Sequence, residues 1–470
     1  MRLFTTLMAI ILTVMCSVEC FADEQKQVSL TIYNQNLALV RDVRTMKIPE
    51  GTGTLRFADI ASQIDATSVH FSVLPLSSSC TILEQNFEYD LVSSEKLLLK
   101  YLDKQIKVRT KDDFQYEGAL ASYDGNQLVL VMDREKGPVV MVNRENVKNV
   151  EFPQLPGGLI TRPSLVWLVR SAKGGDQTAE VSYLTGGMNW RADYVVTVGK
   201  DEKTISLNGW VTIVNTSGAS YEDAGIKLIA GDVNRVAEAG GRPQSLMKTA
   251  MAMDAVAAPQ FEEKAFFEYH LYTLQRAATL KNNQTKQISL LFAPSIAAEK
   301  VYHYDGAVQR WYHYDNWRQP ANTKVAVKME FKNSEKNGLG IPLPQGKIRV
   351  YKADSDGTLQ FIGEDSIDHT PKDERLDLLL GNAFDIVGER KITDHKILGT
   401  NLFRDSYEIT IRNHKSEAVT VKAVERQWGD WKIVQNSMSF EKKDAGTVEF
   451  SIPVAKDGEA RVTYVAEYKL

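Results

Sequence analysis

The chain has 470 residues, of which 43% are hydrophobic and 25% charged, the mix of an ordinary globular protein of several domains. That composition excludes collagen-like, disordered and multi-span membrane classes. Lys and Arg total 56 against 60 Asp and Glu, a net charge of -4, so no basic surplus is present to hold nucleic acid.

The N-terminus speaks to compartment. Arg2 precedes the uncharged apolar run 3–18, which is shorter than the roughly 18 residues a membrane span needs. Glu19 ends the run and Cys20-Phe21-Ala22 follows, the layout of a secretory signal over residues 1–22 with cleavage after Ala22. A retained anchor is the alternative. The expected location is periplasmic or secreted, with no transmembrane span after cleavage. Loss of Cys16 and Cys20 would leave Cys80 as the sole cysteine, so no intrachain disulfide could form. Core burial would then have to carry the stability.

Residues 23–92 read as an N-terminal β segment. Ser93 is placed to cap a short helix, with Glu95 in its first turn and Leu97, Leu98, Tyr101 and Leu102 on its apolar face. Five short strands follow, over 105–110, 114–123, 127–132, 139–142 and 147–152. One helix and five strands over 93–155 resemble a small Sm-like or SH3-like barrel. Gln127 stands where the Sm motif usually has Asn, and Arg144 where it usually has Gly, so no RNA-binding residue is carried over.

Pro153 to Gly158 marks a break, and a β-rich domain is expected over 156–395. Val325, Val327, Met329 and Phe331 alternate with Lys324, Lys328, Glu330 and Lys332, the period of a strand with one wet face. Tyr407, Ile409 and Ile411 alternate in the same way in a C-terminal sandwich-like module, 396–470. Trp210, Val211, Ile213 and Val214 are apolar on both faces, as in a covered central strand. Three strands run into Asn and small polar residues, at Asn215, Asn333 and Asn413, which suggests recurring sandwich modules. Residues 234–263, rich in Ala, Met, Gly and Gln, read as a long mobile loop. The expected fold is mainly β: several antiparallel β-sandwich-like modules and the small barrel.

From residue 160 onward the chain resembles the DUF4139 family of uncharacterised exported proteins. The resemblance rests on an ordered set of segments. Val181-Ser182-Tyr183-Leu184-Thr185, Asn189-Trp190-Arg191-Ala192-Asp193-Tyr194 and Leu228-Ile229-Ala230-Gly231-Asp232 come first. Phe267-Glu268-Tyr269-His270-Leu271-Tyr272, Leu343 to Tyr351, Gly363-Glu364-Asp365 and His369-Thr370-Pro371 follow. It implies a mostly β protein and a signal peptide, and supplies no reaction or catalytic residue.

Neither a nucleophile elbow, a zinc-protease helix, a phosphate loop, a dinucleotide fingerprint nor C-x-x-C is present, and no cofactor is expected. Three constellations remain. Tyr302-His303-Tyr304-Asp305 repeats as Tyr312-His313-Tyr314-Asp315. On one hairpin the tyrosines would share a face, and His303, Asp305, His313 and Asp315 would share the other, where they could bind a divalent metal. Trp311, Tyr314 and Trp317 could stack on sugar or pack on a protein. The plainer reading is a buried tyrosine face and a solvated polar one. Glu364, Asp365, His369 and Glu374, with Asp368 and Asp373, could do acid–base work or equally form a polar turn around Pro371. Met247, Met251 and Met253 could offer thioethers to Cu(I), or be low-complexity loop.

The reading favoured is an exported, non-enzymatic envelope module that binds an envelope protein or polysaccharide. A metal-dependent or acid–base hydrolase and a periplasmic assembly factor are the alternatives. Intact mass of the exported protein should show a chain beginning at Asp23. A mass retaining residues 1–22 would establish the anchor instead.

Overall fold

The computed structural model describes residues 27–75, 80–133, 137–154, 156, 160, 162–231, 233–234, 260–306 and 322–469. The fold is mainly β, built from several separate sheets. The chain divides into two compact units, 1–29 with 40–184 and 30–39 with 185–470. No helix among the described residues is long and apolar enough to cross a membrane.

The first unit holds a three-stranded sheet with Ser164–Ser171 between Gly51–Ala58 and Cys80–Glu88. Trp167 is fully buried there against Phe57 and Phe71, and its indole N–H donates to Gln85 Oε1 at 2.8 Å. Cys80 is half-buried at the end of its strand, and burial pushes its thiol above the ordinary range. The unit also holds the expected helix and five strands. Ser93 Oγ accepts the Lys96 N–H at 3.3 Å and starts the helix Ser94–Lys100. The sheet runs Val147–Glu151, Gln105–Thr110, Gln115–Tyr123, Gln127–Val131, Val139–Asn143, so that Val147–Glu151, the last of these in the chain, pairs with Gln105–Thr110, the first. Leu98 and Tyr101 pack from the helix onto Ile106, Val108, Leu120 and Leu130. Among the described residues no ladder joins its outer strands, Val147–Glu151 and Val139–Asn143.

In the second unit one continuous ladder joins 13 strands. It encloses two apolar cores. One contains Tyr194, Val196, Leu207, Ile348, Val350 and Leu378. The other contains Tyr407, Ile409, Ile411, Val421, Phe450 and Tyr464. Three strands serve both. Gln284–Asp305 gives Ala293 and Ile296 to the first and Tyr302 and Tyr304 to the second. Lys324–Lys332 gives Met329 and Phe331 to the first and Val325 to the second. Arg375–Gly399 gives Leu376 and Leu378, then Ile386.

The segment boundaries therefore differ from those read off the pattern. The expected break at 395/396 falls inside the strand Arg375–Gly399, because that strand crosses from one core to the other. The strands Ser164–Ser171 and Gly175–Thr185 belong with the first unit up to residue 184, not with the domain expected to begin at 156. Within the stretch read as a loop, Phe261–Phe266 is a strand paired to Tyr269–Leu274; residues 235–259 lie outside the described ones.

The three strand-end asparagines are fully buried. Each uses its amide on both sides. Asn413 Nδ2 donates to the carbonyls of Glu417 and Ala455 at 2.8 and 2.9 Å, and its Oδ1 accepts the Lys415 N–H at 3.0 Å. Asn215 Nδ2 donates to Ala219 and Lys281, and its Oδ1 accepts from the Ser217 N–H and Oγ. Asn333 Nδ2 donates to Ile341 and Pro371, and its Oδ1 accepts the Gly340 N–H. In every case the side chain pins its own outgoing turn and a turn from elsewhere. A side-chain amide supplies two N–H donors and a carbonyl acceptor at once, which is the set each of these positions uses. Asn413→Asp, nearly the same shape, should lower stability by about 2–4 kcal/mol in urea unfolding, because two buried carbonyls lose their donor and face a charge. Unfolding at the wild-type midpoint would show that these bonds hold nothing.

Candidate functional site

Seven strands of the second unit curl round the first core. In order they are Leu359–Ile367, Gly346–Ala353, Met188–Val198, Thr204–Asn215, Gln284–Asp305, Lys324–Lys332 and Arg375–Gly399. The two ends of the curl meet without forming a ladder. Asp365 Oδ2 accepts the Leu379 N–H at 2.8 Å across the seam, and Oδ1 accepts from Ser366 at 2.8 Å. Gly363 lies against Leu380 so closely that a Cβ would collide with the Leu380 carbonyl, so a side chain there would force the seam apart.

One end of the curl opens as a recess of about 180 Å³. Its walls are Val198, Val327, Met329, Ile362 and Leu380, and its polar rim is Glu202, Lys300, Lys352 and Asn382. Glu202 sits in the tight turn between Met188–Val198 and Thr204–Asn215. That turn is closed by Gly199 N–H to Thr204 O at 2.8 Å and Glu202 N–H to Gly199 O at 3.0 Å. Glu202 has φ +57°, a left-handed conformation that costs a non-glycine residue about 1 kcal/mol or more. From there its carboxylate bridges two ammonium groups, Lys300 to Oε2 and Lys352 to Oε1, carried on two different strands. Partial burial would raise the Glu202 pKa, but hydrogen bonds from the two lysines outweigh it and hold the carboxyl at about 2. For Lys300 burial works against the charge, and Glu202 and Tyr302 more than offset it, so its pKa lies above the ordinary value.

The residues of the sequence-selected acidic group make contacts to several different neighbours. Glu364 pairs with Lys347 at 3.2 Å and Arg349 at 3.5 Å on the neighbouring strand. Asp365 is the seam clasp. His369 Nδ1 accepts the Gln345 N–H at 3.1 Å, holding the bridge between Leu343 and Thr370. Glu374, exposed, gives its carbonyl to the Asn333 N–H at 2.9 Å.

Tyr302 and Tyr304 are buried in the second core, with His303 and Asp305 on the opposite face. The second Tyr-His-Tyr-Asp copy, Tyr312 to Asp315, lies outside the described residues. One edge of Tyr302–Tyr304 pairs with Val325–Val327 and the other with Val421–Ala423, so both edges are filled. Asp305 pairs with Arg426 at 2.8 Å. Burial, then the Lys328 charge, push the His303 imidazole below its usual range. His313, Asp315, Trp311, Tyr314, Trp317, Met247, Met251 and Met253 lie outside the described residues. Among the described residues no three His, Cys, Asp or Glu gather to hold a metal ion.

Two further clusters escaped the sequence reading. Arg390 Nε donates to both oxygens of buried Glu425 at 2.9 Å, Tyr464 donates to Glu425 Oε2 at 2.5 Å, and the guanidinium lies 4.4 Å from the Tyr407 ring centre. His395 Nδ1 lies 2.5 Å from Oδ1 of buried Asp405, whose Oδ2 accepts from Tyr468 at 2.8 Å and Tyr407 at 3.1 Å. A hairpin read symmetrically about the turn at Thr400-Asn401 would set His395 opposite Ser406; the register shift between Ile397 and Gly399 puts it opposite Asp405, where no spacing rule would look for it.

The low pKa of Glu202 fixes a sign. A carboxyl held down in the folded state adds stability above its unfolded pKa, near 4.5, and loses it as pH falls towards about 2. Melting temperatures of wild type and Glu202→Gln should therefore differ most at neutral pH and converge between pH 4.5 and 2.5. A constant gap over that range would show that the ion pairs contribute nothing.

No protein-family model matches the chain, and no curated protein sequence matches it either.

Proposed function

We propose that this chain is an exported, non-catalytic binding module of the cell envelope, a member of the DUF4139 group it resembles, whose ligand is an envelope protein or polysaccharide. The observation that carries the reading is the recess. Residues of six strands and the Glu202 turn converge on it, giving a small apolar interior with a few placed polar groups at the open end of a curled sheet, an arrangement suited to ligands. The exposed ring of Phe361 lies on the strand that supplies Ile362 to the wall, edge-on to Tyr351 at 5.7 Å. Aromatic rings so placed suit a sugar face or an apolar side chain. The apolar run 3–18 supports export.

The test is retention of envelope material by immobilised full-length protein. Ile362 is partly exposed, so Ile362→Trp can fill the recess without disturbing a core. The wild type should retain a polysaccharide or protein that the variant holds about tenfold more weakly, with the melting temperature unchanged. Equal retention by both, or turnover of a substrate by the purified protein, would overturn the reading.

A further inference from the structure

We propose that Glu202 is a built-in latch on an anion seat, and that the recess takes a carboxylate borne on a short aliphatic body. This rests on the binding reading above and names its ligand.

Three observations combine. First, Lys300 and Lys352 arrive on separate strands, yet their ammonium groups converge on one carboxylate. Two positive charges face one negative charge at the rim, so the seat keeps a surplus of one positive charge. Second, the carboxylate that fills the seat comes from a residue in left-handed backbone, φ +57°, at a tight turn. Strain of that kind tends to collect at clamps and switches. A turn is also the element most able to swing away without disturbing a strand. Third, beneath the ammonium groups lie Val327, Met329, Ile362 and Leu380, which offer an apolar body no hydrogen-bond partner. The Asn382 amide stands beside them on the strand that closes the curl. A doubly charged phosphate would suit the lysines but leave the apolar wall unfilled. A plain hydrocarbon would fill the wall and gain nothing from the lysines. A monocarboxylate with a short aliphatic stem matches both, and its head has the chemistry of the group it displaces.

A latch of this kind lowers apparent affinity by the fraction of time the seat is open. Removing the latch charge should therefore tighten binding, whereas removing either lysine should abolish it. A purely structural ion pair predicts no such inversion.

Calorimetric titration of the full chain with hexanoate tests this. Glu202→Gln should bind hexanoate about tenfold or more tightly than wild type, as follows if the latch is closed at least nine-tenths of the time. Lys300→Met and Lys352→Met should lose binding, and Lys443→Met, away from the recess lining, should bind as wild type. Hexanamide should not bind, and acetate should bind more weakly than hexanoate. In wild type, hexanoate should shift the side-chain ammonium resonances of Lys300 and Lys352, a readout independent of any variant's folding. The same titrations with acetyl-Ala-Ala-Leu, free or amidated at its C-terminus, tell a peptide terminus from a free aliphatic acid. The tighter of the two carboxylates names the source, and both support the latch. The proposal falls if Glu202→Gln binds no tighter than wild type, if a lysine variant binds equally well, or if acetate and phosphate match hexanoate. Failure here with Ile362→Trp still losing its envelope partner would remove only the carboxylate. Loss of neither would remove the recess as a site.

Discussion

Three strands put side chains into two separate cores, and the second unit depends on that sharing. Each passes between the core around Tyr194 and the core around Tyr464 within one extended run of backbone. Loosening one core would slacken strands that the other needs. With no disulfide among the described residues, this common framework takes the place of a covalent staple.

The crossing has a local cost, and the recess lies where it is met. The pairing of Lys324–Lys332 with Arg375–Gly399 shifts register between Val327 and Lys328, and Gly381 stands opposite Val327 with φ +146°. Such irregularities bend a strand and re-aim its side chains. Val327 and Gly381 both line the recess. The opening is thus a product of the geometry that lets one strand serve two interiors, with the Glu202 turn and its two lysines set over it.

Much of the fold was legible from local pattern. The alternation at Val325 to Phe331, the Ser93 cap and the five short strands after it all depend on neighbours in sequence, and the structure has them. The strand-end asparagines were visible as a motif, but their burial was not, since their partners include carbonyls such as Ala455 and Pro371, tens of residues away. The site was scarcely legible. Lys300 and Lys352 lie 98 and 150 residues from Glu202, and no spacing rule links them. The acidic stretch around Glu364 and His369 attracted notice because its residues are adjacent in sequence. Adjacency on a strand sends alternate side chains to opposite faces, so Glu364 and Asp365 serve different neighbours.

The shared strands also limit how a lineage of such proteins can change. Gaining or losing one residue within a strand turns every following side chain to the other face. Between Ile296 and Tyr302 such an event would misalign one interior against the other, and no compensating change in a single module could restore both. Insertions can accumulate only at the turns, so the crossing strands should keep their length long after the surface between them has drifted.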